Sequence, residues 1–184
     1  MNRGARLLRR LHGWLERIPY ALVALLARFS IAAVFWNSGQ TKVTGFALNI
    51  VTGEFATGWP RLSDSALALF REEYRLPLIA PAVAALLAAT AEHVFPMLLL
   101  MGLGTRLAAL ALLGMTLVIQ TFVYPGAYAT HGTWAALLLL LISRGAGAVS
   151  LDHWIACRHA APLEAQRPAA SARRNSSKPG STKS

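Results

Sequence analysis

Four long apolar stretches dominate the chain, and polar residues separate each from the next. A helix needs about 20 mostly apolar residues to cross the hydrocarbon core of a bilayer. The stretches have this length and predict four membrane-spanning helices, over residues 19–40, 77–102, 105–124 and 132–151. The second is the longest, and Pro96 within it predicts a kink.

Three shorter segments have helical periodicity outside these spans. Before the first span, apolar residues recur at helical spacing with arginines on the other face, which predicts an amphipathic surface helix over residues 1–18. In the loop 41–76, Ser63 or Asp64 can cap a short helix that continues to Arg75 and lies over the bundle. After the last span, SLDHWIACRH predicts another surface helix, capped by Ser150.

Together these elements predict an all-α fold: an integral membrane four-helix bundle with short amphipathic surface helices and a disordered basic C-terminal tail. The transmembrane domain is expected over residues 19–156. The tail is expected over 157–184, because Ser, Pro, Ala, Arg and Lys predominate towards the C-terminus and cannot form a core.

The composition favours lipid as the medium around the four spans. Of the 184 residues, 55% are hydrophobic and only 14% are charged, whereas about a quarter are charged in an average soluble domain. The formal charge of +10 is concentrated at the two ends, which is typical of contact with anionic lipid and does not require nucleic acid as a partner. Four crossings and the positive-inside rule predict a bacterial inner-membrane protein with both termini in the cytoplasm.

Charged residues inside the spans are candidates for function. An ionised side chain at a helix centre costs about 2.5 to 3.5 kcal/mol on insertion scales, so it normally has a partner. Arg28 and Glu92 fall at nearly the same depth and on faces of small residues, which predicts an ion pair between the first two spans. The pair is either a structural pin or part of a polar cavity. His93 either bonds to a backbone or hydroxyl group or faces the same cavity.

A second candidate site lies where the first and fourth spans reach the outer side. Six residues fall at this level: Trp36, Asn37, Gln40, Lys42, Tyr124 and His131. They form either an interfacial aromatic belt or a site for a quinone headgroup, which needs a flat apolar slot with one or two donors. No metal site is expected, and Cys157, the single cysteine, excludes an intramolecular disulfide.

Four motifs in a fixed order resemble the DoxX family of four-helix bacterial membrane proteins. They are FWNSGQTKVTGF with Arg28 before it, AEHVFPMLLLMGLGTRLAALAL, THGTWAALLLLL and GAGAVSLD, and the resemblance covers residues 20–155. In the family pattern, Arg28 matches the arginine of the first helix, Lys42 the lysine that closes it, and Glu92 the acid of the second helix. Ala146 departs from the pattern, since relatives often have proline between the two glycines.

The resemblance implies a membrane subunit of a redox complex, linked to quinone or to thiol and sulfur chemistry, in which a partner protein carries the redox centre. The sequence has no dinucleotide fingerprint and no haem or iron–sulfur ligand pattern, so a bound quinone is the one cofactor to consider. The alternative is a non-catalytic scaffold or a small-solute permeation protein in which Arg28 and Glu92 are structural. Whether the chain is an enzyme stays open.

Overall fold

A computed structural model describes residues 3–49 and 53–164 of the chain. Four of its helical stretches are long and apolar enough to cross a membrane, which confirms the four-helix membrane architecture. The elements in chain order are α1 (Arg3–Leu15), α2 (Tyr20–Gln40), β1 (Val43–Asn49), β2 (Glu54–Leu62), α3 (Asp64–Leu69), α4 (Pro81–Met101), α5 (Thr105–Val118), α6 (Tyr128–Arg144) and α7 (Leu151–Glu164).

Two of the spans are longer than their α-helical parts. The stretch Thr105–Val123 consists of α5 and a π-helical turn over Ile119–Val123, and Pro125–Arg144 consists of a 3-10 turn followed by α6. The fourth span had been expected over residues 132–151, and that boundary is wrong. The helix ends at Arg144 because Gly145 has φ +79°, outside the helical region.

The bundle has two distinct ends. Helices α2 and α4 pack against each other and run antiparallel, because Arg28 reaches Leu99 near one end while Gly39 lies against His93 towards the other. We call the end that carries the start of α2, the end of α4 and the start of α7 the α7 end. We call the opposite end, where β1 and β2 lie, the hairpin end.

Between the spans lies a core of small and aliphatic side chains. Ala24, Ile31 and Ala32 of α2 pack with Leu99 of α4, with Ala109 and Leu112 of α5, and with Leu138 and Leu141 of α6. Each of these residues is at most 1% exposed. Small side chains let the helix backbones approach closely, which is how helices associate in lipid.

The loop 41–76 contains a β-hairpin that the sequence pattern did not predict. Strands β1 and β2 pair antiparallel, with Val43 opposite Leu62 and Asn49 opposite Glu54, and the register shifts between Thr44 and Phe46. The hairpin follows α2 directly, so it holds the end of α2 and the start of α3 close together. The small sheet leaves the all-α membrane class unchanged.

The short helix after the hairpin was predicted correctly. Ser63 caps α3, since its hydroxyl accepts a hydrogen bond from the backbone N–H of Ala66 at 3.1 Å. A π-helical turn over Phe70–Tyr74 continues it, and Phe70 packs against Ala84 and Ala85 of α4. This element therefore lies over the bundle at the hairpin end.

Both predicted surface helices are present. Ser150 caps α7, since its hydroxyl accepts from the N–H of His153 at 3.2 Å. Helix α7 continues to Glu164, past residue 157 where the tail was expected to begin, which corrects that boundary. Residues 165–184 of the predicted tail lie outside the described residues.

Candidate functional site

A buried ion pair links the end of α2 to the middle of α4. Lys42 follows α2, and its Nζ lies 2.7 Å from Oε2 of Glu92. The two residues are only 4% and 2% exposed. Ser38 joins them, because its hydroxyl accepts from Lys42 Nζ at 3.0 Å and donates to Glu92 Oε1 at 3.2 Å. The two charges therefore compensate each other inside the bundle.

The predicted ion pair between Arg28 and Glu92 is wrong. Arg28 is buried, but its guanidinium donates to backbone carbonyls at the α7 end: those of Leu99 at 3.4 Å, Leu100 at 3.5 Å and Val149 at 2.5 Å. Counting the helical rise places two α-carbons at one depth but ignores the direction of their side chains. Helical side chains lean toward the N-terminus of their helix. In the antiparallel helices α2 and α4, Arg28 and Glu92 therefore lean toward opposite ends.

The surroundings of the Arg28 guanidinium favour a positive charge. The carbonyls of Leu99 and Leu100 belong to the last turn of α4, where the helix dipole favours positive charge. Gly102 is essential to this arrangement, because a Cβ there would collide with Nη1 of Arg28 and with Ser150. Arg28 thus holds together α2, the end of α4 and the segment that leads into α7.

His93 lies beside Glu92 in a separate hydrogen-bond chain. Its Nδ1 is 2.7 Å from the carbonyl oxygen of Ala89, which can only accept, so Nδ1 carries the proton. Its Nε2 is then an acceptor, and Nε2 of Gln40 donates to it at 2.8 Å. The Gln40 carbonyl oxygen accepts from the N–H of Leu48 at 2.8 Å. His93 therefore connects α4 to the hairpin through Gln40.

Close helix packing makes this network possible. A Cβ at Gly39 would lie 2.9 Å from two ring atoms of His93 and 3.1 Å from Cβ of Glu92. Such distances are shorter than van der Waals contact, so Gly39 lets α4 approach α2 at this level. The hypothesis that His93 bonds to a backbone carbonyl agrees with its contact to Ala89.

An apolar groove of about 720 Å³ runs along α4 beside His93. One wall is the face of α4 from Leu86 to Met101, and the other includes Phe46 and Leu62 of the hairpin. At about 1.5 Å per residue, this face of α4 is roughly 22 Å long. The groove can therefore accommodate an extended hydrocarbon chain.

The polar groups of the groove lie toward the hairpin end. The rings of Trp36 and His93 are in contact, with centroids 5.1 Å apart. Arg61 lines the same region from β2, and its guanidinium has no ion-pair partner among residues 3–49 and 53–164. The groove thus combines a long apolar body with a short polar region at one end.

A second cavity, of about 330 Å³, lies on the other side of Glu92. It is bounded by α4, by the π-helical turn after α5, and by Phe70 and Tyr74 above them. Burial raises the pKa of Tyr74, and the negative charges of Glu92 and Glu73 raise it further. Glu92 is therefore bordered by an apolar cavity on one side and by Lys42 and Ser38 on the other.

The six residues predicted at the outer mouth do not form one site. Trp36, Gln40 and Lys42 join His93 and Glu92 in the networks just described. Asn37 is exposed on α2.

Tyr124 and His131 belong to a different part of the hairpin end. Nδ1 of His131 lies 2.7 Å from Oε1 of Gln120, and its ring packs on Trp134. The hydroxyl of Tyr124 donates to the carboxylate of Glu73, and this bond raises the pKa of Tyr124 to about 12. His131 thus links α6 to the π-helical turn after α5, and Tyr124 links the turn before α6 to Glu73. Neither residue lines the groove at His93.

Reasoning from the sequence missed two residues of the site, Ser38 and Arg61. Ser38 lies one helical turn before Lys42, and this spacing on one helix face was the available signal. Arg61 lies at the end of β2, and without the hairpin nothing placed it near α4. Within the described ranges, no three His, Cys, Asp or Glu side chains are grouped so that they could hold a metal ion.

Comparison with known proteins gives one finding. The family model described as DoxX matches residues 23–125, which is more than half of the chain. The matched region includes most of α2 and all of the hairpin, α4 and α5. It therefore includes all residues of the Lys42, Glu92 and His93 networks. None of the curated proteins and none of the solved structures gives a match to this chain.

Proposed function

Since the chain belongs to the DoxX family and carries four helices that could cross a membrane, we propose that it is the membrane subunit of a redox complex and binds a quinone beside His93. The basic residues at both ends of the sequence favour a bacterial inner-membrane location with both termini in the cytoplasm. The hairpin end then faces outward. A partner protein of the complex carries the redox centre, since the sequence has no cofactor fingerprint of its own.

The dimensions of the groove support a quinone as the ligand. Sites for small organic ligands usually have about 300 to 1,000 Å³ and are mostly apolar with a few polar groups. The groove of about 720 Å³ along α4 falls within this range. Its apolar body suits an isoprenoid tail, and its flat aromatic surface at Trp36 suits a ring.

The polar groups at His93 suit the ring oxygens of such a ligand. A quinone carbonyl accepts hydrogen bonds, and the guanidinium of Arg61 is a donor without an ion-pair partner among the described residues. A quinol hydroxyl donates, and Nε2 of His93 can accept this bond in place of Gln40. The bound quinone supplies the two-electron chemistry, while these side chains hold its ring.

The observation that carries the proposal is that the His93 ring lies beside Trp36 at the polar end of a long apolar groove. The test is the quinone content of protein extracted from its membrane in mild detergent. We expect bound quinone in the native chain. We expect its loss in Thr90→Trp, which fills the groove from an exposed position on α4, and in His93→Leu.

Two matched variants control for general damage to the bundle. Leu110→Trp places the same bulk on an exposed position of α5, outside the groove, and His131→Leu removes a buried histidine from α6. Both should retain quinone. The proposal fails if the native chain carries none, or if all four variants retain it equally.

A non-catalytic scaffold is the second candidate function. It is favoured by the observation that Lys42, Ser38 and Glu92 bond to one another, as do Gln40 and His93. A scaffold predicts that a partner protein co-purifies unchanged with Thr90→Trp and His93→Leu, and that cellular function survives in both variants.

A further inference from the structure

A basic pocket of about 650 Å³ lies at the α7 end, and it shares no lining residue with the groove at His93. Its walls are the first turn of α5, the end of α6 and the segment 145–150 that leads to α7. Tyr20, at the start of α2, lines it as well. The pocket therefore lies where three of the spanning helices meet the membrane surface.

Two arginines give this pocket its charge. Arg106 and Arg144 are both exposed, and neither guanidinium has an ion-pair partner in the described part of the chain. Arg144 lies over the ring of Tyr20, 5.7 Å from its centroid, and Arg106 extends toward Gly145. Both cations thus lie over the turn that ends α6.

The carboxylate in the pocket is already engaged by the backbone. Asp152 accepts hydrogen bonds from the N–H groups of Gly104 at 2.7 Å and Thr105 at 3.0 Å. It holds the start of α5 against α7 and forms no ion pair with Arg106 or Arg144. The positive charge of the two arginines therefore remains in excess.

A buried hydroxyl supplies an independent sign of a ligand. Thr105 lines the pocket and is 0% exposed, yet its Oγ1 has no hydrogen-bond partner among the described residues. A buried polar group without a partner is unfavourable, and a bound ligand or water is a common explanation. An oxygen acceptor in the pocket would satisfy it once the side chains that cover Thr105 move aside, since Thr105 is 0% exposed.

We propose that this pocket binds the phosphate group of an anionic phospholipid. A phosphodiester offers several acceptor oxygens, which guanidinium groups bind in a bidentate manner and which a threonine hydroxyl can also reach. Basic pockets between membrane-spanning helices are typical sites for anionic headgroups.

Helix α1 points to lipid as the source of the phosphate. Leu8, Leu11 and Trp14 are exposed on it, and α1 leads into α2 at the same end of the bundle. Its remaining residues include several arginines. An amphipathic basic helix of this kind lies in the headgroup layer of a membrane with anionic lipid, so the pocket opens where such headgroups are concentrated.

The test is lipid binding by the full chain in detergent, followed by native mass spectrometry during titration with phosphatidylglycerol or phosphatidylcholine. We expect phosphatidylglycerol to bind and phosphatidylcholine to bind much more weakly. Arg106→Gln/Arg144→Gln should weaken phosphatidylglycerol binding about 30-fold, since two cations are lost. Arg71→Gln/Arg75→Gln removes the same charge from exposed residues at the hairpin end and should bind as the native chain does. Equal affinities in all three proteins would overturn the proposal.

Thr105→Val separates a ligand contact from a structural role. The variant keeps the shape of the side chain and removes an unpaired hydroxyl. We expect the lipid-free variant to melt at the same or a higher temperature, while its affinity for phosphatidylglycerol falls a few-fold. A lower melting temperature with unchanged affinity would assign Thr105 a structural role and contradict the site.

Competition with inorganic phosphate distinguishes a lipid headgroup from a soluble phosphate as the ligand of this pocket. In the same titration we expect phosphate alone to displace phosphatidylglycerol only weakly. Phosphate that binds as tightly as the lipid, with the same dependence on Arg106 and Arg144, would identify a soluble phosphate ligand and overturn the lipid assignment.

Discussion

The two ends of the bundle differ in how their charged side chains are compensated. At the hairpin end, Lys42 and Glu92 neutralise each other in the interior, and Ser38 bonds to both. At the α7 end, the buried Arg28 contacts backbone carbonyls rather than a carboxylate. Arg106 and Arg144 beside it have no ion-pair partners among the described residues. At the hairpin end the buried charges compensate each other beside an apolar groove, whereas at the α7 end two neighbouring exposed arginines carry positive charge that an anion can neutralise.

Loss of Lys42 should have the largest effect, because it leaves a buried carboxylate without its cation. We expect Lys42→Met to lower the free energy of unfolding by about 3 to 5 kcal/mol, measured by denaturation in mixed micelles. Arg75→Met, on an exposed residue at the same end, should change it by no more than about 0.5 kcal/mol. Equal effects of the two variants would show that Lys42 is not part of a closed charge network.

Loss of Arg28 should cost less, since it removes a donor from neutral carbonyls and leaves no opposite charge uncompensated. We expect Arg28→Leu to lower the free energy of unfolding by about 2 to 3 kcal/mol in the same assay. The free energy of unfolding of Arg28→Lys should lie between those of the native chain and Arg28→Leu. An ammonium keeps the charge but cannot bond to the carbonyls of both Leu99 and Val149 as a guanidinium does. A larger loss in Arg28→Leu than in Lys42→Met would reverse the contrast between the two ends.

Packing between α2 and α4 at the hairpin end should show a smaller effect. In Gly39→Ala the new methyl group meets the ring of His93, so we expect a loss of about 1 to 3 kcal/mol from overpacking. Gly114→Ala is the matched control, because nothing lies within 4 Å of its Cβ position. It should be neutral or stabilise by about 0.5 to 1 kcal/mol, as glycine weakens a helix interior. The prediction is wrong if both substitutions have the same sign.

The smallest effect concerns the contact between Tyr124 and Glu73. The pKa of Tyr124 is raised to about 12 from an ordinary value of 10.0, first by its hydrogen bond to Glu73. The contribution of this bond to stability is therefore complete below pH 10.0 and is lost as the pH rises through about 12. The loss should be small, because Tyr124 is 41% exposed.

A spectroscopic titration of phenolate formation checks this shift. The signal of Tyr124 is the difference between the native chain and Tyr124→Phe. In Glu73→Ala the midpoint for Tyr124 should fall back toward 10.0. An unchanged midpoint in Glu73→Ala would mean that Glu73 does not hold the phenol.

The sequence predicted the spanning helices well, because a lipid medium imposes one length and one polarity on each. The cap at Ser63 and the surface helix after Ser150 were also predictable, since capping depends on neighbouring residues alone. The hairpin was missed because Gly45, Gly58 and Pro60 interrupt its strands and weaken the alternating pattern that signals β-structure.

The candidate site was harder to predict than the fold. Arg28, Glu92 and His93 were recognised as buried or semi-buried polar residues, but the partner of Glu92 was misassigned. Depth along a helix follows from the sequence, whereas the direction of a long side chain depends on the orientation of its helix. Lys42 was assigned to the polar site at the outer mouth, although its ammonium extends into the bundle and bonds to Ser38 and Glu92.

A double-mutant cycle measures most directly which cation compensates Glu92. The free energy of unfolding is compared for Lys42→Met, Glu92→Leu and the double variant, and the same cycle is repeated with Arg28→Leu in place of Lys42→Met. We predict a coupling of about 2 kcal/mol or more between Lys42 and Glu92, and less than about 0.5 kcal/mol between Arg28 and Glu92. A strong coupling of Glu92 to Arg28, with none to Lys42, would contradict the account.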